Sequence, residues 1–187
     1  MNTLIIDTSH KYLAVGVAVD NMLVAKKQAL MNKKQSEFLL TYVDEVIKEA
    51  GLMPLSIDEV VLTSGPGSYT GLRIGMTFAK TFALANHTLK IYKVNTLLSL
   101  SGLKTGFTFI DARSARVFGA FVSNGLVRDE RIYSLEELKI IQDDLFGDLN
   151  LLEKEEIEPN IIENILSVKN AWILEENIDL LVPDYIK

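Results

Sequence analysis

Residues 4–23 read LIIDTSHKYLAVGVAVDNML, and residues 107–126 read FTFIDARSARVFGAFVSNGL. Aligned with one residue of gap, the two stretches share a strand ending in Ile-Asp, a short polar turn, a second strand, a tight turn and a third strand. An internal repeat of this kind governs the fold, because each copy is one supersecondary unit that buries its apolar face against whatever follows it. In the first copy, Leu4, Ile5 and Ile6 form a continuous apolar run, the pattern of a strand buried on both faces. Asp20-Asn21 is a two-residue hairpin signal, and Ser123-Asn124-Gly125 is its counterpart in the second copy.

Outward from the first copy, strands are predicted at 3–7, 13–19 and 23–30. From Ser36 to Ala50 the pattern changes to helical period, with Leu39, Leu40, Val43, Val46, Ile47 and Ala50 on one face and Gly51 as the stop. A strand at 60–63 runs into the loop Ser64-Gly65-Pro66-Gly67-Ser68, followed by a helix from about Thr70 to Ala85. A strand at 91–94 and a short helix at 96–101, closed by Gly102, complete this part. After the second copy come weaker elements at 135–141, 149–152 and 161–168, and the tail Pro183-Asp184-Tyr185-Ile186-Lys187 stops any helix. The expected architecture is α/β, with two stacked lobes, 1–103 and 104–187, the second abbreviated and no flexible linker between them.

Hydrophobic residues make up 48% and charged residues 24% of the 187, which excludes a disordered chain. The longest apolar run, Tyr12 to Val19, is far short of the roughly 20 residues that cross a bilayer. Asp7 interrupts the only early apolar stretch, so a cytoplasmic location is expected. With no Cys, thiolate metal sites, disulfides and cysteine nucleophiles are excluded. The net charge of −6 divides unevenly: residues 1–128 carry +5 and residues 129–187 carry −11. That balance argues against stand-alone nucleic-acid binding, and the acidic third reads as a solvated surface.

Three constellations could carry chemistry. Asp7-Thr8-Ser9, at a strand end, could hold a hydrated cation and a nucleotide phosphate, or serve simply as turn chemistry. Asp111 is its symmetric partner, but Ala112-Arg113 follows it instead of a glycine pair that would admit a phosphate. Gly65-Pro66-Gly67-Ser68-Tyr69-Thr70-Gly71, followed by Leu72-Arg73, opens onto a helix N-terminus that could bind an anion or form a tight connection. No Walker-type Gly-Lys follows. The helix beyond is apolar nearly all round, and Gly71, Gly75, Ala79 and Ala83 make a smooth stripe. A partner interface is therefore expected over Leu72, Gly75, Met76, Ala79 and Ala83, with Met76 and Ala83 facing the partner, and over Phe38 and Tyr42 on the first helix. His10 and His87 form no metal-binding pair, and a lone turn histidine such as His10 is expected at the surface. No catalytic residue and no metal ligand is assigned.

"IIDTS", "GPGSYTGLRIG" with its following "AK", "FIDARSARVF" and the closing "PDYIK" carry a resemblance to the TsaB (YeaZ) family of tRNA threonylcarbamoyladenosine biosynthesis. The likeness covers the first 125 residues and the extreme C-terminus. It implies two RNase H-like lobes of the actin, Hsp70 and sugar-kinase superfold, and a non-catalytic subunit. In that family the related subunit TsaD modifies adenosine 37 of ANN-decoding tRNAs. The resemblance implies pairing with a TsaD-like subunit through the helices at 36–50 and 70–85, recruitment of a TsaE-like ATPase, and tRNA contact only within that complex. It also implies no resident cofactor, with an adenine nucleotide conceivable at the junction with TsaD. A homodimeric interaction module, pairing when the chain is isolated, is compatible with the same helix faces. Gln35 stands where family members commonly have His. The competing reading, a stand-alone ATPase or kinase of the same superfold, would need phosphate and adenosine loops in the second lobe.

Overall fold

The computed structural model describes residues 1–31 and 33–186, so Lys187 of the closing motif lies outside the described residues. The chain opens with β1 (Asn2–Asp7), β2 (Tyr12–Val19) and β3 (Met22–Leu30), then α1 (Gln35–Glu49), β4 (Glu59–Gly65), α2 (Tyr69–Ala85), β5 (Lys90–Asn95) and α3 (Thr96–Ser101). The unit then restarts with β6 (Gly106–Arg113), β7 (Arg116–Ser123) and β8 (Leu126–Ser134), followed by α4 (Leu135–Lys139), β9 (Leu145–Gly147), α5 (Ile161–Ser167) and β10 (Ile173–Leu174).

The repeat is real in three dimensions. One sheet has the order β10-β5-β4-β1-β2-β3 and the other β8-β7-β6-β9. In each, an antiparallel meander is joined on its first strand by a later parallel strand, β4 beside β1 and β9 beside β6. Both meanders use hairpin turns with two positive-φ residues, Asp20-Asn21 (49° and 65°) and Asn124-Gly125 (50° and 78°). This geometry matches strand twist and suits Asn, Asp and Gly. The second lobe is abbreviated where it matters most: β9 has three residues, and a 3-10 turn at Leu149–Leu152 follows it where the first lobe has α2.

Burial follows the period of two. Leu4, Ile6, Val60 and Leu62 face α1 and α2, whereas Ile5, Ala14, Val61 and Val94 face α5 and α3. All six residues of α3 are buried, with Leu97 and Leu100 against Ile110 and Ala120 of the second sheet. This short helix is therefore one apolar contact between the lobes; Val122 and Phe146 of the second sheet, in the cluster with Ile5 and Ile165, make another. Phe107, Phe109, Val117 and Tyr133 form the second lobe's own core.

The expected division at 103/104 differs from the observed path. After Asn160 the chain returns to the first sheet: Ile161, Ile162 and Ile165 pack on Ile5 and Ala14, and β10 pairs with β5. Gly16 makes the return feasible, since a Cβ there would lie 2.4 Å from Ile162. The acidic C-terminal third is likewise more than a solvated surface. Asp148 and Glu156 pair with Lys11, Glu163 with Lys26 and Glu175 with Lys93, all on the first lobe.

Between β6 and β7 the backbone holds three consecutive left-handed residues, Arg113, Ser114 and Ala115, at φ of 66°, 55° and 56°. Each non-glycine residue there costs about 1–2 kcal/mol. Ala115→Gly is therefore expected to stabilise the protein by about 1 kcal/mol, seen as a raised melting temperature in calorimetry; an unchanged or lowered value would show that the turn is relaxed.

Candidate functional site

Asp7 is wholly buried at the end of β1. Its Oδ1 accepts from the Ser9 backbone N–H (2.7 Å), Ser9 Oγ (2.5 Å) and Thr63 Oγ1 (2.9 Å), and its Oδ2 accepts from Ser99 Oγ (2.9 Å). The carboxylate thus ties the first turn to β4 and α3, and neither oxygen faces solvent. Thr8 Oγ1 donates to the Gly71 carbonyl at 2.7 Å, and the Ser68 N–H donates to the Ser9 carbonyl at 2.8 Å. The Gly-rich loop is pressed against this turn. A Cβ at Gly71 would lie 2.1 Å from the Thr8 carbonyl oxygen, one at Gly67 2.6 Å from that of Ser9, and one at Gly75 2.8 Å from Thr8 Oγ1. Here the glycines admit protein backbone, the role a phosphate would otherwise take. Ser68 caps α2 by accepting from the Gly71 N–H at 3.2 Å. Gly65, at φ 136°, and Pro66 meet the tail: the Asp184 N–H donates to the Ser64 carbonyl at 2.7 Å. Tyr69 stacks on Tyr185 with centroids 5.7 Å apart, and Arg73 lies over the Tyr69 ring. Two motifs more than a hundred residues apart in the chain therefore form one surface.

The helix faces correct the expected interface. Leu72, Gly75, Met76, Ala79 and Ala83 are all buried in the chain's own core, and so is Tyr42 on α1. The small stripe packs on Thr8, Ile6 and Leu62, so Met76 and Ala83 do not face outward. Lys27 Nζ lies 4.5 Å from the Tyr42 ring centroid and helps cover it. Of the expected interface residues only Phe38 is exposed. Leu40, expected on the same face as Leu39, instead points outward from α1, as Leu84 does from α2, and Ile74, Phe78 and Phe82 are half-buried at the edge of the core. Helical period alone could not separate these two faces, because α2 is apolar on both.

The junction of the lobes holds what sequence reasoning missed. His10 is buried, not at the surface; its Nε2 lies 2.8 Å from Asp148 Oδ1. Asp148 Oδ2 accepts from the Asp111 N–H at 2.8 Å, and Lys11 Nζ is 3.0 Å from Oδ1. Burial by itself would raise the Asp148 carboxyl, but the hydrogen bond and charge of His10, the Asp111 N–H and Lys11 hold it well below the usual carboxylate range. Gln35, at the position where relatives were expected to have His, donates through Nε2 to the His10 carbonyl at 2.8 Å and so ties α1 to the same junction. A cleft of about 250 Å³ opens at the ends of β4 and β5, lined by Ser64, Lys93, Asn95, Glu130 and Tyr185. Burial pushes the Glu130 carboxyl up there, against a 2.6 Å hydrogen bond from Asn95. No group of three or more acidic or His side chains placed to hold a metal occurs among the described residues, and no helix is long and apolar enough to cross a membrane.

Two outcomes follow. Met76→Glu or Ala83→Glu buries a carboxylate without donors and is expected to destabilise by about 3 kcal/mol or more; a melting temperature near wild type would return these residues to the surface. Because the folded Asp148 is more acidic than the unfolded one, its stabilisation is complete above the unfolded value near 3.9 and is lost as pH falls below it. Asp148→Asn should therefore melt lower at pH 7 and decline less steeply under acid than wild type. Equal acid limbs in calorimetric scans would sink that assignment.

Sequence and structural comparisons agree with this architecture. The family model described as "TsaD: tRNA N6-adenosine threonylcarbamoyltransferase" matches residues 25–113. The tRNA threonylcarbamoyladenosine biosynthesis protein TsaB of Bacillus subtilis is 27% identical over 100% of this chain and 94% of that protein. The Escherichia coli protein of the same name is 28% identical over 64% of this chain and 54% of its own length. A crystal structure from Pseudomonas aeruginosa, of an uncharacterized protein described as similar to peptidase YeaZ, superposes with a TM-score of 0.79 at 20% identity. It covers 100% of this chain and 99% of its own and shows the same two-lobed fold. Together with the GPGSYTGLRIG loop packed on the Asp7 turn, these comparisons make the chain similar over its full length to the TsaB (YeaZ) proteins of tRNA threonylcarbamoyladenosine biosynthesis.

Proposed function

We propose that this chain is a non-catalytic subunit of tRNA threonylcarbamoyladenosine synthesis that works by presenting the outward faces of α1 and α2 to a TsaD-like catalytic subunit. One observation carries the reading. The core-facing stripes of both helices are closed against the chain's own sheet, and a second apolar set remains outside it. Leu40 is 69% exposed and Leu84 74%, and Phe78 and Phe82 stack at 5.4 Å on the half-buried flank of α2. Helices with a second apolar stripe of this kind fit a partner of similar helical surface. A TsaE-like ATPase joins that pair in the cytoplasm, and a second copy of this chain takes the same face when the partner is absent.

The Asp7–Ser9 turn serves the fold in this reading. Its carboxylate already accepts four hydrogen bonds from the protein. An adenine nucleotide in the assembly therefore belongs at the junction with the TsaD-like subunit and not on this turn. The stand-alone kinase reading has no comparable support, since the equivalent second turn carries Ala112-Arg113 in place of glycines.

Depleting the protein and measuring tRNA nucleosides by mass spectrometry tests the pathway; unchanged threonylcarbamoyladenosine would remove it. Leu40→Glu and Leu84→Glu test the face. Both side chains are exposed, so melting should stay near wild type, while affinity for the TsaD-like subunit falls by about 2 kcal/mol, roughly thirtyfold. Undiminished pairing by both variants would move the interface elsewhere.

A further inference from the structure

The second copy of the strand-turn-strand unit ends in a turn that the reading above leaves unused. In the first lobe the turn after β1 is covered: Thr8 is 2% and Ser9 1% exposed beneath the start of α2. Its duplicate after β6 has no such cover, because a 3-10 turn follows β9 in place of a helix, and Arg113, Ser114, Ala115 and Arg116 are all exposed. Those residues are nevertheless held rigidly. Three successive left-handed residues contain no glycine or asparagine, the Arg113 N–H donates to Asp111 Oδ1 at 2.7 Å, and the Asp111 N–H donates to Asp148 at 2.8 Å. Strain kept at an uncovered tip is characteristic of a recognition element.

The charges are arranged in the same sense. Arg113 and Arg116 are register partners across the hairpin, and like charges placed opposite each other disfavour a sheet. Among the described residues neither guanidinium has a carboxylate within 4.0 Å, whereas Arg131 on β8 is held by Asp129 and Glu137. Asp148 bridges this turn to His10, and backbone bonds from Met31 to Lys11 and from Lys34 to Met31 bring the exposed Lys33 and Lys34 to the same end of the molecule. Some acidic groups there are already engaged: Asp148 and Glu156 meet Lys11, and Asp111 accepts from its own turn.

We propose that the β6–β7 turn, with Arg113 and Arg116 at its tip, is a contact for the phosphate backbone of tRNA, made when the chain is in its complex. The proposal rests on the tRNA-modification reading above. Guanidinium groups match phosphate oxygens through paired N–H donors. The turn carries no aromatic side chain on which a base could stack, so the contact positions the RNA without reading its sequence.

The test uses the assembled complex of this chain with its TsaD-like subunit and unmodified tRNA transcripts, titrated by fluorescence anisotropy between 50 and 200 mM salt. The double variant Arg113→Ala/Arg116→Ala is expected to bind about tenfold or more weakly. Its log–log salt slope should be shallower by roughly 1 to 2, since each lost phosphate contact contributes about 0.7–0.9. The loss should be equal for different tRNA sequences, and Arg113→Lys/Arg116→Lys should restore most of the slope. Melting temperature should not fall, since the opposed charges are removed, and pairing with the TsaD-like subunit should not change. Unaltered affinity and slope, or no tRNA binding by the wild-type complex, would overturn the proposal. So would a variant that loses subunit pairing while the remaining complex binds tRNA normally, which would make the turn a protein contact. A depletion strain with normal threonylcarbamoyladenosine would instead sink the pathway reading on which this one stands.

Discussion

The buried carboxylate of Asp7 is the constraint from which much of the first lobe follows, because a charge taken out of water must find donors within the fold. Ser9, Thr63 and Ser99 supply them, from the first turn, from β4 and from α3. Satisfying that one group fixes the turn after β1, and the turn sets where α2 can pass. Thr8 then lies against the helix at Gly71 and Gly75, where any side chain would collide with it. The orientation of α2, the burial of Met76 and Ala83, and the outward position of Leu84 are downstream of the same packing. A motif that elsewhere could serve a phosphate has here become the joint of a scaffold.

The duplicated unit shows how two copies of one pattern diverge through what covers them. The first copy receives two long helices on one face and α5 on the other. The second receives a three-residue parallel strand and a 3-10 turn, so its equivalent of the Asp7 turn stays open to solvent. The lobes are held at three places: α3 buried between the sheets, the His10–Asp148–Asp111 chain of hydrogen bonds, and the return of the C-terminal segment to β5. The uneven charge distribution serves the same end, since acidic residues of the last third pair with lysines of the first lobe.

The repeat, the longer strands and helices and the tight turns were legible in the sequence, because period two, period 3.6 and the positive-φ preferences of Asn, Asp and Gly are local properties; β9 and β10, three and two residues long, were not. Leu4-Ile5-Ile6 announced a doubly buried strand, Asp20-Asn21 a hairpin, and Gly51 and Gly102 the ends of helices, and the structure has each of them. The Gly65–Gly75 loop was recognisable as the most specific segment of the chain. Its purpose was not, since a glycine needed for close approach has the same letter whether backbone or ligand approaches.

Tertiary structure alone decided which residues meet. His10 is buried only because Asp148, 138 positions later, arrives beside it. Ile161 and Ile162 belong to the first sheet only because Gly16 leaves a space there. The two apolar faces of α2 are equivalent by periodicity, and the sheet covers one of them, so residues expected at an interface became core and Leu40 and Leu84 were left outside. The sequence by itself determined the longer elements and the family resemblance, because both are written in local pattern. The surface had to come from the fold, because exposure is a property of a residue's distant neighbours and not of the residue.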